Sequence, residues 1–146
     1  MEGGRRRKPG PARSLPPICP AFIFALVNMR TGPSSTDLLL TIAEPTRLRI
    51  LNCLAAAPLF VSDLQMVLGL PQPTVSRHLQ VLRRLEVVRD TPIAQFVLYR
   101  LRRDLGPQSR LLSAILDAMA HDPAMRAERN RAAERGRAHS RTRVTA

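Results

Sequence analysis

Two short amphipathic stretches joined by a tight turn restrict this chain more than any other feature. VSDLQMVLG (61–69) ends on glycine, the residue best suited to the left-handed conformation that closes a helix. Only LPQ (70–72) stands between it and a second helical pattern, PTVSRHLQVLRRLE (73–86). On a wheel of 100° per residue, Val75, Leu79, Leu82 and Leu85 fall on one side, and Ser76, Arg77, Gln80, Arg83 and Arg84 on the other. The first set is built to be buried and the second to be presented. A merely solvated face would be expected to carry Glu and Lys, whereas this one has Arg and no acid before Glu86.

Two helices joined so closely form a helix-turn-helix, whose second helix enters the DNA major groove. Arg, Gln and Ser are the side chains that reach base edges and phosphates there. Composition agrees. The net charge of +12 and the pI of about 11.7 point to a polyanionic partner. With one Tyr, four Phe and no Trp, the chain lacks the aromatic platform that grips single strands, so double-stranded DNA is the expected partner. Nine of the twelve net charges lie in residues 1–14 and 124–146, and every basic residue but Lys8 is Arg.

The ends read differently from the middle. Residues 3–17 are basic and Pro-rich, a composition that does not fold. The apolar run ICPAFIFALVNM (18–29) is too short to span a bilayer, which takes about 20 residues, and no clean small-x-small cleavage motif follows it. Met29 opens a more ordinary protein start, so residues 1–28 are read as an upstream extension. Cys19 and Cys53 make no disulfide framework, which implies reduced thiols, a cytoplasmic location and no membrane.

Between the ends the order of elements is clear. Ser34, Ser35 and Thr36 are cap types ahead of a first helix, DLLLTIAE. EPTRLRILNCLAAA (44–57) is a second, buried helix with Pro45 in its first turn, and Ser62 is the expected N-cap of the third. VVRDTPIAQFVLYRL (87–101) reads as a hairpin around TPIA, and 105–120 as a fifth helix stopped by His121-Asp122-Pro123. Residues 124–141 suit a helix but have little to bury, so 122–146 is read as a frayed, Arg-rich tail. The expected fold is mainly α with a two-stranded β-wing, a winged helix-turn-helix over 34–121 after a disordered extension at 1–33.

The wording of EPTRLRILNCL (44–54), PLFVSDLQMVLGLPQPTVSRHLQVLRRLEVV (58–88) and YRL (99–101) resembles the ArsR/SmtB family of bacterial repressors, over roughly residues 36–120. The resemblance implies a dimeric cytoplasmic repressor that leaves its operator when an inducer binds, with dimer contacts through the first and last helices. A core of about 85 residues is small, and the apolar faces at 36–43 and 107–120 call for a partner surface. Leu38, Leu39, Leu111, Leu112, Ile115, Leu116 and Met119 are the candidate dimer contacts. Gln72, Thr74, Ser76, Arg77, Gln80, Arg83, Arg84 and Arg89 are the candidate DNA contacts. Thr74, Ser76, Arg77 and Gln80 would read bases, and Arg83, Arg84 and the tail arginines would hold phosphates.

The departures bear on what is sensed. Members of the family with a thiolate metal site place two cysteines in the third helix, and here Phe60 and Ser62 fill those slots. A zinc-type site on the last helix would begin at Asp117, but Met119 stands where a His is required, and His121 and His139 are off the spacing. No metal, cofactor or catalytic residue is therefore expected, and the inducer is not identified. Cys53 reads as packing and not as half of a redox switch, and His78 as a packed histidine. Family wings usually carry Gly and a basic residue at the tip, where this chain has Thr91-Pro92-Ile93-Ala94, although Arg89 and Arg100 flank it. Pro71 stands where a Ser or Thr cap is usual, which forfeits about 1 kcal/mol. The alternative reading is a winged-helix protein-interaction module with only non-specific DNA affinity. An enzyme is the weakest reading, because Ser62, Asp63 and His78 lack a nucleophile elbow, phosphate loop or carboxylate pair around them.

Overall fold

The computed structural model describes residues 34–144, with side chains described through His139. The expectations for residues 1–33, including the apolar run and Cys19, lie outside the described residues. Helix α1 (Ser35–Ile42) starts at Ser34, whose hydroxyl accepts from the Asp37 amide while the Asp37 carboxylate accepts from the Ser34 amide. This capping box satisfies donors that the first helical turn leaves free. Helix α2 (Pro45–Ala56) is capped by the Glu44 carboxylate, which accepts from the Arg47 amide at 2.8 Å. Burial pushes the Glu44 carboxyl up, but the amides of Arg47 and Thr46 outweigh it and hold the group below its ordinary value.

Strand β1 (Leu59–Phe60) leads directly into helix α3 (Val61–Leu68), which ends on Gly69 at φ +66°. Phe60, not Ser62, occupies the N-cap of α3: Ser62 is exposed inside the first turn, and the Asp63 carboxylate accepts from the Phe60 amide at 3.0 Å. Helix α4 (Gln72–Arg84) begins after Pro71 with no side-chain cap, as expected of proline there. Strands β2 (Val88–Ile93) and β3 (Phe96–Leu101) form the antiparallel wing.

The sheet has three strands in the order β1-β3-β2, one more than expected, because Leu59 and Phe60 pair with Tyr99 and Leu98. A two-residue strand between helices leaves no periodicity to read. The wing tip also moves. Thr91 and Pro92 pair with Leu98 and Val97, so the turn is Ala94-Gln95, with Ala94 at φ +53°. Pro92 is tolerated because β2 is an edge strand.

Helix α5 (Pro107–Met119) is followed by α6 (Pro123–Val144), which corrects the frayed-tail reading. Asp122 caps α6 through the Ala124 and Met125 amides at 2.7 and 3.2 Å. The helix packs on α2 and α3 within the same compact unit. Its docking uses few large apolar side chains. Glu128 accepts from Arg49 Nε at 3.0 Å, the buried Asn52 amide donates to the Met125 carbonyl at 2.8 Å, and Ala132 is fully buried. His139 Nε2 lies 2.8 Å from Asp63 Oδ2 and stands edge-on to Phe60, with ring centroids 4.9 Å apart.

Gly136 is a point of close approach between α6 and the end of α2. A Cβ built there would lie 2.3 Å from the Ala57 Cβ. Alanine in place of a helical glycine gains about 1 kcal/mol of propensity, whereas overpacking a rigid contact costs about 1–3 kcal/mol or more. The clash should win. Gly136→Ala is expected to lower the urea midpoint, and a raised midpoint would show that α6 is not held against Ala57.

The core is built from Ile50, Leu51, Leu64, Val75, Leu79 and Leu82, with Leu38, Leu112 and Leu116 joining it. This placement corrects three of the expected dimer contacts. Leu38, Leu112 and Leu116 are at most 4% exposed in the single chain, so a second copy would have little of them to touch. Leu39 is exposed, and Leu111, Ile115 and Met119 are half-buried. Leu40, at 71% exposure, was absent from the expected set. No helix among the described residues is long and apolar enough to cross a membrane.

Candidate nucleic-acid interface

Helix α4 divides as its sequence pattern requires. Val75, Leu79 and Leu82 have no exposed surface, and Leu85, just past the helix, is half-buried. On the opposite side Gln72, Arg77, Gln80, Arg83 and Arg84 are exposed, with Thr74 and Ser76 half-buried. Three apolar anchors fix the rotation of the helix, and that rotation decides which polar side chains project.

The basic residues differ in how free they are. Arg77, Gln80 and Arg84 have no ion pair or side-chain hydrogen bond among the described residues. Arg83 Nε is 2.9 Å from Asp90 on β2, and Arg89 Nη2 is 3.1 Å from Asp104. Arg102 bridges Glu86, just past the end of α4, and Asp104 at 2.7 and 3.1 Å. The sequence showed nothing of this network, because its members are brought together by the hairpin. Exposed pairs of this kind contribute about 0–1 kcal/mol, so a phosphate can displace Asp90 or Asp104 from Arg83 or Arg89.

Between the start of α4 and the wing runs a groove of about 390 Å³, bordered by Ser62, Gln65, Gln72, Ser76, Gln95 and Phe96. The sequence pattern singled out Gln72 and Ser76 here and missed Gln65, Gln95 and the groove-side role of Ser62. Their polar character was visible, but their convergence depends on the packing of α3 against the hairpin. Phe96 is 53% exposed and meets Phe60 edge-on at 5.9 Å, so an aromatic ring stands beside the wing tip.

The residues considered for sensing are placed as follows. His78 Nδ1 is 3.4 Å from the Glu44 carboxylate, and the ring is half-buried between α4 and the start of α2. His139 is drawn to Asp63, far along the chain from Asp117 and Met119. Among the described residues, no three His, Cys, Asp or Glu side chains are grouped to hold a metal ion. Cys53 has no exposed surface, and burial pushes its thiol up to about 12. Only the thiolate reacts with electrophiles, so the folded protein should resist iodoacetamide at Cys53 at neutral pH. Peptide mapping by mass spectrometry should show rapid labelling of Cys53 only after urea is added; rapid native labelling would show that α2 opens.

Comparison with known proteins agrees with this arrangement. Residues 44–90 match the family described as "Bacterial regulatory protein, arsR family". The HTH-type transcriptional repressor SmtB of Mycobacterium tuberculosis is 36% identical over 85 residues, 58% of this chain and 59% of that protein. The transcriptional repressor SdpR of Bacillus subtilis is 33% identical over 60 residues, covering 41% of this chain and 67% of SdpR. The biofilm growth-associated repressor of Agrobacterium fabrum is 37% identical over 78 residues, 53% of this chain and 65% of that protein. The chain thus spans about three-fifths of the length of SmtB and about two-thirds of the other two. The matched region contains α2, α3 and α4 whole, the helices that bury Val75, Leu79 and Leu82 and project Arg77 and Gln80. With its winged helix-turn-helix and these relatives, the chain belongs to the arsR family of bacterial regulatory proteins.

Proposed function

We propose that the protein is a cytoplasmic transcriptional repressor that binds double-stranded DNA as a homodimer on an imperfectly palindromic operator. The observation that carries this reading is the outward face of α4, where Arg77, Gln80 and Arg84 stand exposed and unpaired among the described residues, on a helix locked by three buried anchors. Arg pairs bidentately with guanine and Gln with adenine in the major groove. Arg77 and Gln80 are therefore the principal base readers, with Gln72, Thr74 and Ser76 nearer the start of the helix. Arg83, Arg84 and Arg89 hold backbone phosphates, the first and last by exchanging Asp90 and Asp104 for the phosphate. The relatives named as repressors support the direction of regulation.

Dimerisation rests on the exposed Leu39 and Leu40 of α1 and the half-buried Leu111, Ile115 and Met119 of α5. A two-fold axis would set two α4 helices about one turn of DNA apart, and the operator would mirror that symmetry. The test is selection of genomic fragments by the purified full chain at two salt concentrations, followed by sequencing of the bound DNA. Two related half-sites about 10 base pairs apart are expected. Salt-sensitive retention of all fragments without an enriched motif would overturn the operator reading and favour an interaction module with non-specific DNA affinity.

A further inference from the structure

We propose that the notch between α3 and α6 is a seat for a DNA backbone phosphate, with Arg131 and Arg135 as its cationic groups. This rests on the DNA-binding reading above and adds a second contact surface to it. The notch measures about 370 Å³ and is lined by Met66 and Val67 of α3 and by Arg131, Glu134, Arg135 and Ala138 of α6. It is open to solvent, with Met66 54% exposed. Arg131 and Arg135 are one helical turn apart on the same face, and both line the notch.

Three observations point to a backbone phosphate. First, α6 is held in place and is not a loose arm. The Arg49–Glu128 pair, the Asn52 contact to the Met125 carbonyl, the close approach at Gly136 and the His139–Asp63 contact tie it along its length. Second, α3 is the first helix of the helix-turn-helix, and in that arrangement the first helix crosses the DNA backbone while the second lies in the groove. Met66 at the notch adjoins Gln65, which borders the groove at the start of α4, so in that docking the notch would face the sugar-phosphate strand. Third, the charge is complementary. Arg131 Nη2 makes one 3.3 Å hydrogen bond to the Val67 carbonyl and keeps its other donors, and Arg135 has no ion pair among the described residues. Glu134 also lines the notch and opposes an anion, leaving one net positive charge. Guanidinium forks suit phosphate oxygens, and two of them around a single notch fix the register of the protein along the strand without reading sequence.

The experiment measures binding of the full chain to its selected DNA by fluorescence anisotropy between 50 and 200 mM salt. Each phosphate neutralised contributes about 0.9 to the slope of log affinity against log salt. Arg131→Gln combined with Arg135→Gln is expected to reduce that slope by about 0.9, the share of one phosphate, and Arg135→Gln alone by a part of that, with the preference for cognate over scrambled DNA unchanged. Arg110, exposed on α5 and outside the notch, provides the control: Arg110→Gln should leave the slope nearly as it was. Because Arg131 also holds the end of α3, thermal unfolding of each variant is recorded alongside, and Arg135→Gln carries the result if the double variant melts early. Unchanged slopes in both notch variants, or an equal loss in Arg110→Gln, would overturn the seat while leaving DNA binding by α4 intact. A wild-type chain that binds no DNA would overturn both.

Discussion

Replacing Arg77 and Gln80 together with alanine is expected to erase most of the preference for the operator while leaving the fold intact. Each well-placed base contact discriminates by about 1–3 kcal/mol, roughly 5- to 150-fold per residue. Both side chains are exposed and make no ion pair or side-chain hydrogen bond among the described residues, so their removal unfastens nothing inside the protein. Alanine is also the best helix former, so α4 itself is not weakened. Competition between operator and scrambled DNA should show the two affinities converging toward the non-specific value, with the urea midpoint unmoved. A variant that keeps its full preference would remove Arg77 and Gln80 from base readout and transfer weight to the interaction-module reading.

The second large effect lies on the opposite face of the same helix. Leu79→Ala should destabilise the protein by about 2–5 kcal/mol, because it removes a fully buried side chain and leaves a cavity whose walls close only in part. Domains of this size are stable by only about 5–15 kcal/mol, so this single change takes a large share of the total. Helix α4 has little to fall back on: Pro71 supplies no side-chain cap, and its outward face is polar and solvent-exposed. Urea unfolding should show a lower midpoint, and DNA affinity should fall for operator and scrambled DNA alike as α4 loses its fixed rotation. A shift below about 1 kcal/mol would mean that the core around Val75 and Leu82 refills the space. The two variants separate the roles of the helix, since one loses specificity at constant stability and the other loses stability first.

Much of the interface was legible because it is written in local patterns. The alternation of Val75, Leu79 and Leu82 with Arg77, Gln80 and Arg84 needs only helical periodicity, and burial follows it. The same holds for the Ser34 cap, Pro45 in the first turn of α2, and Gly69. Ser62 was misread because Ser is a frequent cap, while the Phe60–Asp63 contact that starts α3 depends on where β1 ends. Helix α6 was misread for a different reason. Its buried stripe, Glu128, Ala132 and Gly136, is small or charged, so hydrophobic periodicity has almost nothing to detect.

The sequence by itself determined the helix-turn-helix, the wing, the rotation of α4 and the residues it projects, because these depend on residues within a few positions of one another. Only the tertiary structure decided that the Arg-rich end is a docked helix, since its ties join Arg49 to Glu128, Asn52 to Met125 and Asp63 to His139, pairs more than 70 positions apart. It also decided that Leu38, Leu112 and Leu116 lie in the chain's own core, and that Asp90 and Asp104 partner Arg83 and Arg89. A periodic pattern states which face of a helix is buried; what that face meets is settled by packing, where close approach at a glycine and a half-buried ion pair do the work that large apolar side chains do elsewhere.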